Sequence, residues 1–511
     1  MSPLYSDPSY WLLGSTVALV LLVISSYRSY RKSLQLVYGT PGIRSLISLI
    51  QPAIFVIPAG KIPFTNFWGT PGPSYWARRK YEAFNDAEQD IISAVSADFS
   101  SPMYFIADAD VAQEIMANRH RFVKPVELYD VLNLFGHNVL GTEGEQWRVH
   151  RKIAAPSFTE GNNRLVYEET VVALDGLFEI WGSGETVDIN NFAEVTFAFA
   201  LMIICSAGFG MRVPWIDTEP PPGHNMTFKR AMEVISSDIL LKVIVPRMFM
   251  NWSKRTAIVE SGFNELQQYI REMIRDRASS YRDYSDLFSN LISANDNDSE
   301  GLSLLDEELM GNIFIFLIAG HETTAHSLAF VMGLLALYPD IQEKLYQHIR
   351  KNVADPYGTP TYNEIPALNY CLAVFYEGLR MFPSVNRKGE PVVIIIPKGI
   401  SVNLAVPALH YNPRYWPNPD KFEPERFLGD WPKAAFIPFS GGPRICLGKR
   451  FAEIEAIVAL AKIVGRYKIT VKEEPQYANE TFEQRRARIL HLRCFITSTP
   501  TRIPVTLTRR K

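Results

Sequence analysis

Apolar residues in this chain recur mostly at the spacing of amphipathic helices. Segments with this pattern are residues 73–95, 110–118, 163–181, 265–276 and 339–352. Strand-like runs are short and are expected late in the chain, at residues 391–396, 401–406 and 502–508. The pattern predicts a mainly α domain with a minor β portion.

The first long apolar run, residues 10–27, contains no charged side chain. As a helix it would be about 27 Å long, close to the roughly 30 Å hydrocarbon core of a bilayer. Arg28, Arg31 and Lys32 follow directly, whereas only Asp7 precedes the run. The run is predicted to be an uncleaved membrane anchor. The positive-inside bias then places the rest of the chain in the cytosol. The alternatives are a buried core helix and a signal peptide, which would need basic residues before the run and a small-residue cleavage site after it.

Three regions follow from this pattern. Residues 1–32 are predicted to be an N-terminal membrane anchor with a basic stop, and residues 75–511 a single catalytic domain. Residues 33–74 are rich in Pro and Gly and are predicted to be a linker. Their apolar patch at residues 54–57 either rests on the membrane surface or forms a buried first strand.

A second apolar run, residues 311–338, is also long enough to cross a bilayer. However, His321 and Glu322 lie in its middle, where a membrane would penalise them. The run is therefore interpreted as the central buried helix of a large domain, with the polar interruption marking a functional pocket. Ser303, followed three residues later by Asp306, predicts a capped start for this helix.

Charge and cysteine usage narrow the class of protein. The formal net charge of -2 argues against a nucleic-acid partner. The four cysteines are widely separated, without the spacing of a zinc site, which favours a reducing compartment. Three of them, Cys205, Cys371 and Cys494, lie in apolar or strand-like surroundings and are expected to be packing residues.

Cys446 has different surroundings. A glycine-rich turn precedes it and a long apolar helix, residues 451–467, follows it, so the sulfur is predicted at a helix N-terminus. The positive end of a helix stabilises a thiolate relative to a thiol. Gly442 and Gly448 would let the backbone approach a flat ligand closely. The alternative is a buried cysteine in a tight turn.

The run Phe439-Ser440-Gly441-Gly442-Pro443-Arg444-Ile445-Cys446-Leu447-Gly448 resembles the haem-binding loop of the cytochrome P450 family. Further matches occur in the family's order. Ala319 to Thr324 is similar to the oxygen-activation motif, and Glu377 to Arg380 is similar to the Glu-x-x-Arg helix. Residues 422–427 are similar to the segment with a second arginine, and Trp147 with Arg151 is similar to the pair that meets a haem propionate. The resemblance covers nearly the whole chain.

The resemblance implies a haem-thiolate fold that binds haem b, with Cys446 as the axial ligand of the iron. A thiolate in that position pushes electron density to the iron and favours O–O cleavage. Arg444 offers a guanidinium fork suited to a propionate. The residues expected to bind the cofactor are Cys446, Arg444, Trp147, Arg151, Phe439 and Gly442.

Glu322 and Thr323 place an acid and a hydroxyl in the middle of the apolar helix, as proton delivery to dioxygen requires. They are the predicted catalytic residues. The alternative for Thr323 is a hydrogen bond back to its own helix.

Glu377 and Arg380 are three residues apart on one helix face and can pair. With Arg426 they would form a buried charge cluster, which is stable only when fully hydrogen-bonded. Its predicted role is structural, and an ordinary surface ion pair is the alternative.

The resemblance implies a monooxygenase that oxidises a lipophilic small molecule (terpenoid, sterol-like or aromatic), in secondary metabolism, with O2. No dinucleotide fingerprint is present, so electrons are expected from a separate NADPH–cytochrome P450 reductase. The expected location is the endoplasmic reticulum membrane, with one span in contact with lipid and a cytosolic domain. Candidate pocket segments are residues 132–140, 235–245 and 314–319.

Two rival functions remain open at this point. One is a reductase-independent haem-thiolate isomerase or peroxygenase, against which Glu322 with Thr323 counts. The other is a catalytically impaired haem-binding membrane protein, because residues 381–396 are fewer than the family usually has there. That short passage reflects either a truncated pocket wall or a gene model that lacks an exon.

Overall fold

The computed structural model describes residues 8–48, 76, 79–216, 219–279, 286–296, 303–383, 398–494 and 497–510. In these ranges the α-helices are α1 Pro8–Leu36, α2 Glu82–Ala87, α3 Ala109–Ala117, α4 Gly144–Ala154, α5 Glu160–Trp181, α6 Phe192–Ile203, α7 Phe228–Ile244, α8 Lys254–Ser279, α9 Leu287–Asp296, α10 Asp306–Leu337, α11 Pro339–Asn352, α12 Asn369–Met381, α13 Val406–Tyr411, α14 Lys449–Arg466 and α15 Phe482–Ile489. The predicted mainly α fold with a minor β portion is confirmed.

The strands form three small sheets. They are β1 Gly42–Ser45, β2 Ile91–Ser96, β3 Met103–Ile106, β4 Thr186–Ile189, β5 Ser401–Leu404, β6 Tyr467–Val471, β7 Leu492–Cys494, β8 Ser498–Pro500 and β9 Val505–Arg509. The first sheet has the order β1-β2-β3-β5, the second is the antiparallel sheet β4-β9-β6, and β7 pairs with β8 as a hairpin.

Two secondary-structure predictions are wrong. Residues 73–95 were expected to be one helix, but α2 ends where Glu88 adopts a left-handed conformation with φ of 52°. The β-branched run that follows then pairs with strands on both sides as β2, because tertiary pairing overrides the helical spacing. Strands were also expected only late in the chain, whereas β1 to β4 all precede residue 190.

The strand predicted at residues 401–406 ends at Leu404, and Val406 begins α13 with a proline in its first turn. The apolar patch at residues 54–57, the strand at 391–396 and residues 384–396 of the short passage lie outside the described residues.

α1 has two parts with different surroundings. Its most apolar window is 0% buried, as expected for a membrane span. Its last turns lie on the first sheet: Tyr30 and Leu34 pack on the core cluster that contains Val95, and the Ser26 hydroxyl donates to the carbonyl of Ala97. The helix therefore extends beyond residue 32, and β1 places part of the predicted linker inside a sheet.

α10 is the buried central helix of the domain. By length and composition it could cross a membrane, but 83% of its most apolar window is buried, in agreement with the interpretation from the sequence. Its start differs from the prediction. The N-cap position is Leu305, not Ser303, and the carboxylate of Glu308 accepts the Leu305 backbone N–H at 3.1 Å. Three acidic residues in the first turn complement the positive helix end.

α12 packs closely on α10 at Gly378. A Cβ atom at Gly378 would lie 2.4 Å from Val331 Cγ2 of α10, so a larger side chain would push the two helices apart. This contact fixes the position of the neighbouring Glu377 relative to the central helix.

Candidate functional site

The segment from Phe439 to Gly448, here called the cysteine loop, holds Cys446 at the surface in front of α14. A single 3-10 turn, Gly442–Arg444, precedes the cysteine. The backbone N–H of Cys446 donates to the carbonyl of Phe439 at 2.9 Å. Gly448 is the N-cap residue of α14, two positions after Cys446. The thiol therefore lies close to the positive end of that helix, as its sequence position predicted.

Gly442 lets the backbone of the cysteine loop pack closely against the end of α3. Gly442 has φ of +60°, and a Cβ atom there would lie 2.3 Å from the Met116 carbonyl oxygen at the end of α3. Both features require glycine. At Gly448, by contrast, the nearest atom to such a Cβ is Phe158 Cε1 at 4.0 Å, so the protein's own packing leaves room on that side.

Cys205 and Cys371 lie in quite different surroundings from Cys446. Both are fully buried, and burial raises the pKa of each thiol well above its usual value. They remain protonated and act as apolar packing residues, in agreement with the sequence interpretation. Cys446 is exposed.

Trp147 of α4 is buried beside the cysteine loop, with cations against its ring. The guanidinium of Arg444 lies 4.3 Å from the ring centroid and that of Arg119 lies 4.9 Å from it. Arg119 was missed by sequence reasoning, although the basic run that follows α3 was a signal that could have found it. Arg444 also pairs with Glu143 at 2.5 Å. The predicted binding residues Trp147 and Arg444 therefore lie side by side.

Arg151 contacts the cysteine loop itself. Its Nη1 donates to the carbonyl of Ile445, the residue before the cysteine, at 2.8 Å. An exposed thiol, a helix N-terminus, an aromatic ring and three guanidinium groups suit a flat cofactor that carries carboxylates and binds through sulfur. These residues fit haem.

Glu322 and Thr323 project from α10 in different directions, because successive residues of a helix are about 100° apart. Glu322 is buried, and burial raises the pKa of its carboxyl group to about 7, while a hydrogen bond from Thr497 acts in the opposite direction. The Thr323 hydroxyl donates to the carbonyl of Ala319 at 2.9 Å, which is the alternative bond considered from the sequence. While this bond holds, the hydroxyl oxygen of Thr323 can still accept a hydrogen bond from another group.

Two histidines flank this pair. Burial lowers the pKa of His321 to about 4 and that of His326 to about 3, so both are neutral near pH 7. His321 Nδ1 contacts the carbonyl of Leu317 at 2.7 Å. Among the described residues, no group of three or more His, Cys, Asp or Glu side chains could hold a metal ion.

Glu377, Arg380 and Arg426 come together in the interior. Arg380 donates to both carboxylate oxygens of Glu377, at 2.6 and 2.8 Å, and both side chains are fully buried. Arg380 also donates to the carbonyls of His410 and Pro419. Arg426 lies 3.5 Å from the same carboxylate. The Glu377 carboxylate raises the pKa of Arg380 against the effect of burial, so the guanidinium is charged.

His410 links this cluster to the cysteine loop and was also missed from the sequence. Its Nδ1 lies 3.2 Å from the carbonyl of Arg380, while its Nε2 accepts the backbone N–H of Ile437 at 3.0 Å. Ile437 in turn accepts the N–H of Ser440, inside the loop, at 3.0 Å. Burial and the nearby Arg380 lower the pKa of His410 to about 3, so the ring is neutral, as these bonds require.

The three candidate pocket segments meet along the first half of α10. The rings of Phe135 and Phe314 are 4.4 Å apart, and Ser236 Oγ lies 3.4 Å from His321 Nε2. Segments 132–140 and 235–245 therefore each contact the helix that carries segment 314–319, Glu322 and Thr323.

Comparisons with known proteins agree with this geometry. The family model described as Cytochrome P450 matches residues 94–490. Cytochrome P450 monooxygenase 124 of Postia placenta is 44% identical over 96% of this chain and 98% of its own length. Cyclooctat-9-en-7-ol 5-monooxygenase of Streptomyces melanosporofaciens is 26% identical over 72% of this chain and 80% of its own. The crystal structure of the cytochrome P450DA heme domain superposes with a TM-score of 0.73 at 21% identity, covering 92% of this chain and 99% of that one, which shows the shared fold.

The charge cluster generates a stability prediction. Arg380→Lys should lower the free energy of unfolding by about 3–5 kcal/mol, because lysine cannot keep the two-point contact with a buried carboxylate. The measurement is urea unfolding of the purified protein, followed by tryptophan fluorescence. Arg79→Lys is the matched control, since its pair with Glu82 is exposed and should contribute less than about 1 kcal/mol. Equal effects of the two substitutions would show that the buried cluster does not stabilise the fold.

Proposed function

This chain belongs to the cytochrome P450 family, and from that premise we propose that it is a membrane-anchored monooxygenase supplied with electrons by a separate NADPH–cytochrome P450 reductase. It binds haem b and oxidises a lipophilic small molecule with O2. The observation that carries the proposal is the contrast among the cysteines: Cys446 lies exposed before the N-terminus of α14, whereas Cys205 and Cys371 are buried thiols.

Cys446 is the proposed axial ligand. The chemistry that haem supplies when bound through a thiolate is the activation of dioxygen. The chain contributes the thiolate, because the positive end of α14 favours the ionised sulfur. It also fixes the sulfur in place, since the Cys446 N–H is held by Phe439 and the loop is seated on Met116 through Gly442.

Arg444, Arg119 and Arg151 are the proposed partners of the propionates, with Trp147 holding two of the guanidinium groups in place. Arg444 forms an ion pair with Glu143. A propionate would therefore share Arg444 with Glu143 or displace it.

Glu322 is the proposed proton donor for oxygen activation and Thr323 the proposed hydroxyl of the relay. A carboxyl group whose pKa is about 7 has both its protonated and its ionised form populated near neutral pH, so it can take up and release a proton as a general acid must. The hydroxyl of Thr323 keeps an open acceptor position while it bonds to Ala319. The presence of both Glu322 and Thr323 therefore counts against the reductase-independent isomerase or peroxygenase.

The membrane is the proposed location, with α1 as the single span. Besides α1, the connection between α7 and α8 exposes large apolar side chains, with Met248 81% and Trp252 80% accessible. Exposed residues of this size are typical of a surface that meets lipid or another protein. Arg28, Arg31 and Lys32 flank the span on its domain side, so the positive-inside bias places the domain in the cytosol. The proposed membrane is that of the endoplasmic reticulum.

The substrate is proposed to be a lipophilic terpenoid, sterol-like or aromatic compound of secondary metabolism. Phe135 and Phe314, whose rings are in contact, lie in two of the candidate pocket segments and suit an apolar ring system. The name of the Streptomyces relative gives cyclooctat-9-en-7-ol as its substrate, in line with this class.

Coupling of electron use to product formation tests the proposed activity. Membranes containing the protein should oxidise members of a lipophilic library only when both NADPH and the reductase are present. Thr323→Ala should release several-fold more hydrogen peroxide per NADPH consumed and form less product, because the proton relay loses its hydroxyl. Thr170→Ala removes a comparable back-bonded hydroxyl from α5 and should change neither ratio. Product formation without the reductase would favour the peroxygenase alternative.

The topology is tested by protease added to sealed microsomes. The catalytic domain should be digested while an N-terminal fragment of a few kilodaltons survives, because Arg28, Arg31 and Lys32 hold the domain side of α1 in the cytosol. Detergent should remove the protection of that fragment, and a lumenal marker protein provides the control. A domain that resists protease until detergent is added would show the opposite orientation.

A further inference from the structure

Glu322 and His326 lie one helical turn apart on α10 and share one face of that helix. Thr497, the residue before strand β8 of the C-terminal hairpin, lies between them. Its hydroxyl donates to Glu322 Oε1 at 2.6 Å and lies 3.0 Å from His326 Nδ1. All three side chains are buried.

The hydrogen bonds define the direction of this chain of groups. A threonine hydroxyl has one hydrogen, so when it donates to Glu322 its oxygen can only accept from His326. His326 must then carry its proton on Nδ1. Burial lowers the pKa of His326 to about 3, so the ring is neutral and Nε2 has no proton.

We propose that Thr497 is a positioning residue for Glu322: its hydroxyl, supported by His326, holds the carboxyl group toward the hairpin and stabilises the carboxylate that remains when a proton has been released. This inference rests on the proposed role of Glu322 in proton delivery.

The balance of burial and hydrogen bonding explains why such a residue is needed. A carboxyl group buried without a donor would hold its proton too strongly to release it at neutral pH. The bond from Thr497 opposes the effect of burial, and together they place the pKa of Glu322 at about 7. The other ionisable groups on the neighbouring turns, His321 and His326, are neutral at this pH, and the hairpin contributes the hydroxyls of Thr497, Ser498 and Thr499.

The position of Thr497 is fixed from a second direction. The hydroxyl of the next residue, Ser498, donates to the carbonyl of Pro383 just after α12, at 3.0 Å. The hairpin is therefore attached to the end of the helix that carries Glu377 and Arg380. Thr497 and Glu322 are separated by 175 residues in the sequence, yet they are held together by parts of the same core.

The test is infrared titration of the protonated carboxyl stretch in the purified full-length protein. A band absent from Glu322→Gln identifies Glu322, and in the wild type it should disappear with a midpoint near pH 7. Thr497→Val should raise that midpoint by about one to two pH units, the effect expected when a carboxylate loses a hydroxyl donor. Thr497→Ser keeps the donor and should restore the wild-type midpoint.

Thr506→Val is the matched control, because Thr506 donates to Asp188 at the same distance of 2.6 Å on an exposed strand. It should leave the Glu322 band unchanged. Thr497→Ala replaces the valine variant if the latter does not fold. A midpoint that neither Thr497→Val nor Thr497→Ala moves would overturn the proposal.

Peroxide release separates this proposal from the proposed function on which it rests. Thr497→Val should raise peroxide release per NADPH, and Thr497→Ser should reverse the increase. If Glu322→Gln remains fully coupled, Glu322 is not the proton donor, even if Thr497 shifts its titration. If Glu322→Gln is uncoupled while both Thr497 readouts match the wild type, only the positioning role is overturned.

Discussion

The ion pair between Glu377 and Arg380 is the constraint on which the active-site region of this protein depends. Two charges buried without water are tolerated only when every donor and acceptor is satisfied. Arg380 meets this condition by donating to Glu377, to the carbonyl of His410 in α13 and to that of Pro419 after α13. His410 contacts the carbonyl of Arg380 and accepts the N–H of Ile437. The carbonyl of Ile437 in turn accepts the N–H of Ser440 in the cysteine loop. The need to satisfy one guanidinium thus fixes the backbone that presents Cys446.

Burial acts on the ionisable groups of this protein in two distinct ways. It keeps Cys205 and Cys371 as inert thiols and His326 as a neutral ring, because no charged partner compensates. It is opposed at Glu322 by a single hydroxyl, which leaves an acid that can exchange its proton near neutral pH. Cys446, by contrast, is exposed and lies close to the N-terminus of α14. Exposure of Cys446 and the hydroxyl donor beside Glu322 therefore distinguish these two residues from the inert buried groups.

The sequence predicted the parts of this structure that depend on local pattern. The buried central helix, the exposed N-terminal helix and the loop around Cys446 all follow from runs of apolar residues and glycine spacing. It did not predict the parts that depend on tertiary contacts. β2 was taken for a helix because only its pairing with β1 and β3 overrides the helical spacing of its apolar residues. Nothing in the local pattern of His410 or Thr497 indicates that they meet Ile437 or Glu322. The stacking of two arginines on Trp147 likewise appears only in three dimensions.

The central claim is that Cys446, and no other cysteine, provides the thiolate that holds the haem iron. The most direct measurement is the absorption spectrum of the reduced, carbon monoxide-treated protein. The wild type and Cys371→Ala should both show the strongly red-shifted Soret band of a thiolate complex, since Cys371 is a buried packing residue. Cys446→Ala should lose that band while its far-ultraviolet circular dichroism stays unchanged. A folded Cys446→Ala protein that retains the band would contradict the account.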